Sequence, residues 1–150
     1  MKLLIPPPIL TLISAILMLI ISKYFNKANF SLNQHNQFAL FFLIVALIII
    51  LISIAKFIKI KTTISPLKPN KTSILVDSGI YKHTRNPMYL GLLLILFSLF
   101  LYLKNFLSFL VLPLFVIYIT KNQILPEEKV LENLFGEQYK KYKNKVRRWI

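Results

Sequence analysis

The sequence predicts an all-α integral membrane protein of about four transmembrane helices, with a long polar loop and C-terminal amphipathic helices gathered on one side of the bilayer. Three observations carry this expectation. Apolar residues make up 56% of the 150 positions, with a mean hydropathy of +0.63. They are collected into four long runs rather than spread at strand or helix periods. The basic residues, which give a formal charge of +14, stand at the ends of those runs.

The composition also excludes several chemistries. With no cysteine, disulfides, thiolate nucleophiles and Cys-ligated zinc or iron–sulfur sites are ruled out. Two histidines, His35 and His83, and five carboxylates show no ligand spacing of the HExxH kind, so no metal is expected. The lysines flank apolar segments instead of forming a basic face with stacking aromatics, which points to lipid head groups and away from nucleic acid. The N-terminal run follows a single Lys and has no small-residue cleavage site, so it reads as a retained span of one membrane domain covering 1–150.

The first span covers about 3–21. Pro6, Pro7 and Pro8 cannot lie inside a helix, so its regular part begins near Pro8. Residues 22–37, rich in Asn and Gln, form a loop. The second span, 38–55, is interrupted only by Ser53, crosses about 27 Å at helical rise, and is followed by Lys56, Lys59 and Lys61. A polar loop then occupies 56–87, with Ser65-Pro66, Lys68-Pro69 and a short extended piece at 73–76. The third and fourth spans, 88–103 and 106–125, are parted only by Lys104-Asn105 and form a hairpin, whose second arm Pro113 kinks. Pro126 opens a new helix with Glu127 and Glu128 in its first turn, where the helix dipole favours carboxylates, and Gly136 stops it. Glu128, Leu131, Glu132 and Phe135 share one face of it. Beyond it, Tyr139, Tyr142 and Val146 form a stripe among lysines, as in an amphipathic helix lying on lipid; cytoplasmic helices thus fill 126–150.

Four spans bring both termini and the 56–87 loop to one side. That side holds sixteen of the nineteen Lys and Arg residues, and the other side holds Lys23, Lys27 and Lys104. The bias makes the crowded side cytoplasmic. The Lys-, Ile- and Asn-rich composition without an organellar signal suggests a bacterial inner membrane.

On that cytoplasmic side, residues 79–91 concentrate Tyr81, His83, Arg85, Asn86, Pro87 and Tyr89 at the mouth of the third span. Free backbone N–H groups and the helix dipole there suit an anionic group such as a carboxylate or phosphate. Leu75-Val76, Gly79-x-Tyr81, Arg85-Asn86-Pro87-x-Tyr89-x-Gly91, Glu127-Glu128 and Phe135-Gly136-x-x-Tyr139-x-x-Tyr142, with the end Val146-Arg147-Arg148-Trp149, follow one another in order. In this combination the chain resembles the isoprenylcysteine carboxyl methyltransferase family, itself similar to phospholipid N-methyltransferases. The resemblance covers about 62–150; the first two spans match only as membrane helices.

The resemblance implies S-adenosylmethionine as methyl donor, in a pocket formed by the cytoplasmic loop and the C-terminal helices, and a lipid-like or small hydrophobic acceptor entering from the bilayer. Carried over by motif, the cofactor-binding positions are Leu75, Val76, Tyr81, Asn86, Pro87, Met88, Tyr89 and Glu127. The helix mouth would receive the cofactor's carboxylate, Glu127 its ammonium, and the tyrosines would flank its sulfonium. Arg85 and Glu128 are the catalytic candidates, with Glu128 or His83 as base should a protonated amine be the acceptor; Gly91 serves close helix packing. The chain departs from the carboxyl methyltransferases twice: Asn86 replaces a His, and Gln123, the substrate-binding candidate, replaces an Arg that faces the acceptor carboxylate. The acceptor atom is thus a carboxylate or an amine. Two other readings stand beside this one: a sterol-reductase-like oxidoreductase, which shares an Arg-His-Pro-x-Tyr pattern but has more spans, and a non-enzymatic membrane adaptor.

Overall fold

The computed structural model describes residues 5–31, 33–60 and 74–150. Helices dominate, and no strand occurs among the described residues; one antiparallel bridge pairs Asn29 with Asn105.

Helices α1 (Pro7–Tyr24) and α3 (Pro87–Leu103) both open on a proline, whose missing N–H costs no hydrogen bond in a first turn. Helix α2 (His35–Ile60) overruns the expected 38–55 at both ends. An apolar run measures the hydrocarbon layer, whereas the helix continues until polar side chains reach the interface, and Lys56 and Lys59 extend it because cations suit a carboxyl-terminal turn. The polar loop therefore starts after Ile60, and the 22–37 loop shrinks to a short connection holding a 3₁₀ turn, Asn26–Ala28. Residues 61–73, with Ser65-Pro66, Lys68-Pro69 and the start of the expected extended piece, lie outside the described residues. Past them, Leu75 and Val76 are buried without regular structure, and a 3₁₀ turn, Gly79–Lys82, leads to α3.

The hairpin turn forms at Lys104-Asn105. Lys104 adopts φ 52°, and Asn105 caps α4 (Phe106–Phe109) by accepting from the Ser108 N–H at 3.1 Å. The Asn105 amide donates to the Phe25 carbonyl at 2.9 Å and to Asn29 Oδ1 at 2.8 Å, which ties the α1–α2 connection to this end. α5 (Val111–Ile119) starts anew two residues before Pro113, whose ring crowds the carbonyl four residues back. A π-helical turn, Thr120–Ile124, then joins α5 to α6 (Leu125–Lys145). Pro126 lies in the first turn of α6 as expected, but no loop precedes that helix, and the wider turn absorbs the hydrogen bond that the proline ring cannot make. Gly136, at φ 50° and ψ −123°, interrupts the helical backbone as expected, and α6 resumes beyond it in a new direction.

Among the described residues, three helical paths are long and apolar enough to cross a bilayer: Pro7–Tyr24, His35–Lys59 and the combined path Phe106–Lys145, whose apolar part precedes Pro126. α3, at 17 residues, is apolar but shorter. α3 packs along α2 and also meets α1 and α5. A methyl group at Gly91 would lie 3.2 Å from the Ala46 carbonyl and against the Ile50 side chain, so glycine sets how closely α2 and α3 approach. One buried cluster joins α1, α3 and α5 through Met18, Leu96, Phe100, Phe115 and Ile119. Two serine hydroxyls in the spans are satisfied internally: Ser98 donates to the Ala39 carbonyl at 2.6 Å, and Ser53 to the Ile49 carbonyl at 2.6 Å.

Candidate functional site

The proline that opens α3 and the first turn of α6 bring the polar motif residues to one end of the bundle. There they surround a largely apolar cavity of about 360 Å³, within the usual range for small-molecule sites. All eleven positions singled out from the sequence line it: Leu75, Val76, Tyr81, Arg85, Asn86, Pro87, Met88, Tyr89, Gln123, Glu127 and Glu128. His83 does not; it is exposed and outside the lining.

The two adjacent carboxylates meet different surroundings. Glu127 Oε1 accepts a 2.7 Å hydrogen bond from the Tyr89 hydroxyl, and among the described residues it has no ion pair. Glu128 is buried under two guanidiniums: Arg148 donates to it through Nε and Nη2, each at 2.9 Å, and Arg85 Nη2 lies 3.1 Å from the same Oε1 that Nε of Arg148 holds. Those hydrogen bonds push Arg148 above its ordinary pKa. Arg85 is itself buried, with 8% of its side chain exposed, yet its Nε and Nη1 have no hydrogen-bond partner among the described residues.

The walls are completed by main-chain latches. The Arg85 N–H donates to the Arg147 carbonyl at 3.0 Å, while the Thr84 hydroxyl and the Asn86 amide donate to the Arg148 carbonyl at 3.2 and 2.9 Å. Asn86 thus spends its amide on a carbonyl, and no side chain caps α3, which leaves the first-turn N–H groups of Met88 and Tyr89 without helical partners. Gln123 donates to the Ile5 carbonyl at 2.7 Å, and its Oε1 is buried without a partner.

The stripe of Tyr139 and Tyr142 corrects one expectation. It is not laid on lipid: the bend at Gly136 turns it inward, where both rings are buried with Leu75, Leu131, Phe135 and Val146. The Tyr142 hydroxyl donates to the Tyr81 carbonyl at 2.7 Å, and both rings also line the cavity. Tyr81 stacks edge-on against Phe57, with centroids 5.6 Å apart, and burial raises its phenol above the ordinary range, so the ring is neutral.

The motif reading missed the wall supplied by the first two helices. Ile50, Ile54 and Phe57 of α2 and Pro7 and Pro8 of α1 line the cavity. The α2 residues share a helical face at i, i+4, i+7 spacing, the one signal available, but every other face of α2 is equally apolar. No group of three His, Asp or Glu side chains able to hold a metal occurs among the described residues.

Known proteins match part of the chain. An uncharacterised protein of Haemophilus influenzae is 49% identical over 63 residues, covering 42% of this chain and all of the relative. The protein-S-isoprenylcysteine O-methyltransferase of Schizosaccharomyces pombe is 35% identical over 79 residues, 53% of this chain and 34% of the relative. The enzyme of the same name from Saccharomyces cerevisiae is 39% identical over 80 residues, 53% of this chain and 33% of the relative. The match therefore spans about a third of the length of the two yeast proteins. No solved structure matches. The phospholipid methyltransferase family model matches residues 35–138, from the start of α2 past the bend in α6, and the chain belongs to that family.

Proposed function

We propose that the protein is an S-adenosylmethionine-dependent membrane methyltransferase acting on a lipid-like or small hydrophobic acceptor, with its site and both termini on the cytoplasmic side of a bacterial inner membrane. Membership of the family and the likeness to two O-methyltransferases support the class of reaction. The observation that carries the choice of cofactor is the pairing, in one cavity, of a carboxylate without a cation and a guanidinium with two unused donors. A zwitterion satisfies both.

The methionine part of S-adenosylmethionine is such a zwitterion. Glu127, oriented by Tyr89, would hold its ammonium through a charge-assisted hydrogen bond, and Arg85 with the uncapped mouth of α3 would hold its carboxylate. The bound cofactor supplies an electrophilic methyl group on a positive sulfur. Tyr81, Tyr89 and Tyr139 supply ring faces suited to that charge. The apolar wall of Ile50, Ile54 and Phe57 excludes water and suits an acyl or prenyl chain. The residues' part in the transfer would then be chiefly alignment, holding donor and acceptor against one another in the cavity. Glu128 acts through Arg85 rather than as a base. Gln123 lies in the lining where it can meet the acceptor.

Calorimetric titration of S-adenosylmethionine into protein in nanodiscs tests the reading, with NADPH as control. Saturable binding is expected, weakened at least tenfold in Glu127→Gln, since a hydrogen bond to a charged group contributes about 1.5–3 kcal/mol. Binding of NADPH instead, or of neither ligand, would sink it.

A further inference from the structure

Glu128 has two oxygens and two guanidiniums competing for them. Arg148 takes both, Nε on Oε1 and Nη2 on Oε2, in the forked arrangement that suits a carboxylate best. Arg85 is left with a single contact through Nη2, and its Nε and Nη1 stay uncommitted although only 8% of the side chain is exposed. The three side chains carry two positive charges and one negative, so the cluster keeps one positive charge, and of its two arginines it is Arg85 that lines the cavity, beside Glu128. Without its competitor, a buried guanidinium with spare donors beside a carboxylate would turn to it with both arms and neutralise itself.

We propose that Arg148 is a positioning residue: by saturating Glu128 it prevents Arg85 from closing onto that carboxylate and so keeps Arg85 available for an oxyanion in the cavity. Resting on the methyltransferase reading, that oxyanion is the carboxylate of S-adenosylmethionine. The role belongs to the side chain of Arg148 and is separable from the seating of its backbone. The Arg147 and Arg148 carbonyls are held by the Arg85 N–H, Thr84 and Asn86, bonds that a substitution at position 148 leaves in place.

The test compares wild type, Arg148→Gln and the double variant Arg148→Gln/Glu128→Gln in nanodiscs, titrated with S-adenosylmethionine and with its decarboxylated analogue. In Arg148→Gln, affinity for S-adenosylmethionine should fall at least tenfold while the analogue, lacking the carboxylate, binds as weakly as to wild type. In the double variant Glu128 no longer attracts Arg85, and affinity should recover to within about threefold of wild type. A purely structural role for Arg148 predicts the reverse, with the double variant the most damaged. Unchanged affinity in Arg148→Gln, or no recovery in the double variant, overturns the proposal. If wild type itself binds no S-adenosylmethionine, the functional reading fails first, and an experimental structure of Arg148→Gln still decides the positioning: Arg85 bound to Glu128 through two nitrogens upholds it, a retained single contact refutes it.

Discussion

Glu127 and Glu128 are neighbours in one helical turn and both line the cavity, yet they meet different partners. About 100° of helix rotation separates them. One carboxylate faces the cavity with a phenol as its hydrogen-bond partner, and the other is sealed beneath Arg85 and Arg148. The chain neutralises Glu128 itself, so that carboxylate holds the fold together. It leaves Glu127 without a cation among the described residues, and burial raises the pKa of that carboxyl to about 7.

The comparison can be broken most sharply at Glu128. Glu128→Ala leaves the buried Arg85 guanidinium without its carboxylate and close to a second cation, and the expected loss of stability is about 3 kcal/mol, measured as the unfolding free energy in mixed micelles; Glu127→Ala should lower it far less. Equal losses would mean that both carboxylates are structural. A smaller effect is expected at Tyr89→Phe, which removes one donor from Glu127 while keeping the ring: S-adenosylmethionine affinity should fall about fivefold, in line with roughly 1 kcal/mol for a hydrogen bond. No change there would mean that the phenol does not orient the carboxylate. The smallest effect belongs to a third carboxylate, Glu137, whose 2.7 Å pair with Lys140 is open to solvent. Glu137→Gln should change neither unfolding nor ligand affinity, and a measurable loss of either would show that exposure does not separate these carboxylates.

Much of the fold was legible because the bilayer reads sequence coarsely. Four apolar runs, the start of α3 at Pro87 and the turn at Lys104-Asn105 follow from hydrophobic length and from local backbone chemistry. Helix ends were less legible, since α2 runs on past its apolar stretch through Lys56 and Lys59. The polar side of the site was legible too, because Arg85, Asn86 and Glu127 stand out in a chain with few such residues. Its apolar side was not. Ile50, Ile54 and Phe57 have the same character whether they face lipid, a neighbouring helix or a cavity, so periodicity cannot tell these apart. The tyrosine stripe misled for a related reason: an amphipathic face looks the same against lipid as against a loop, and only the bend at Gly136 decides which it meets.

What the sequence by itself determined is the class of molecule and its inventory: a membrane helix bundle, with one cluster of chemistry-bearing side chains at the mouth of α3 and another at the start of α6. These depend on hydrophobic length, on proline and on residue type, all of which are local. The tertiary structure alone decided how the inventory is divided. Arg148 reaches Glu128 across twenty residues of sequence, the Arg147 and Arg148 carbonyls lie against residues 84–86, and Tyr89 rather than a cation meets Glu127. A pairing of charges is a matter of distance in space, and distance in space is set by how the helices pack.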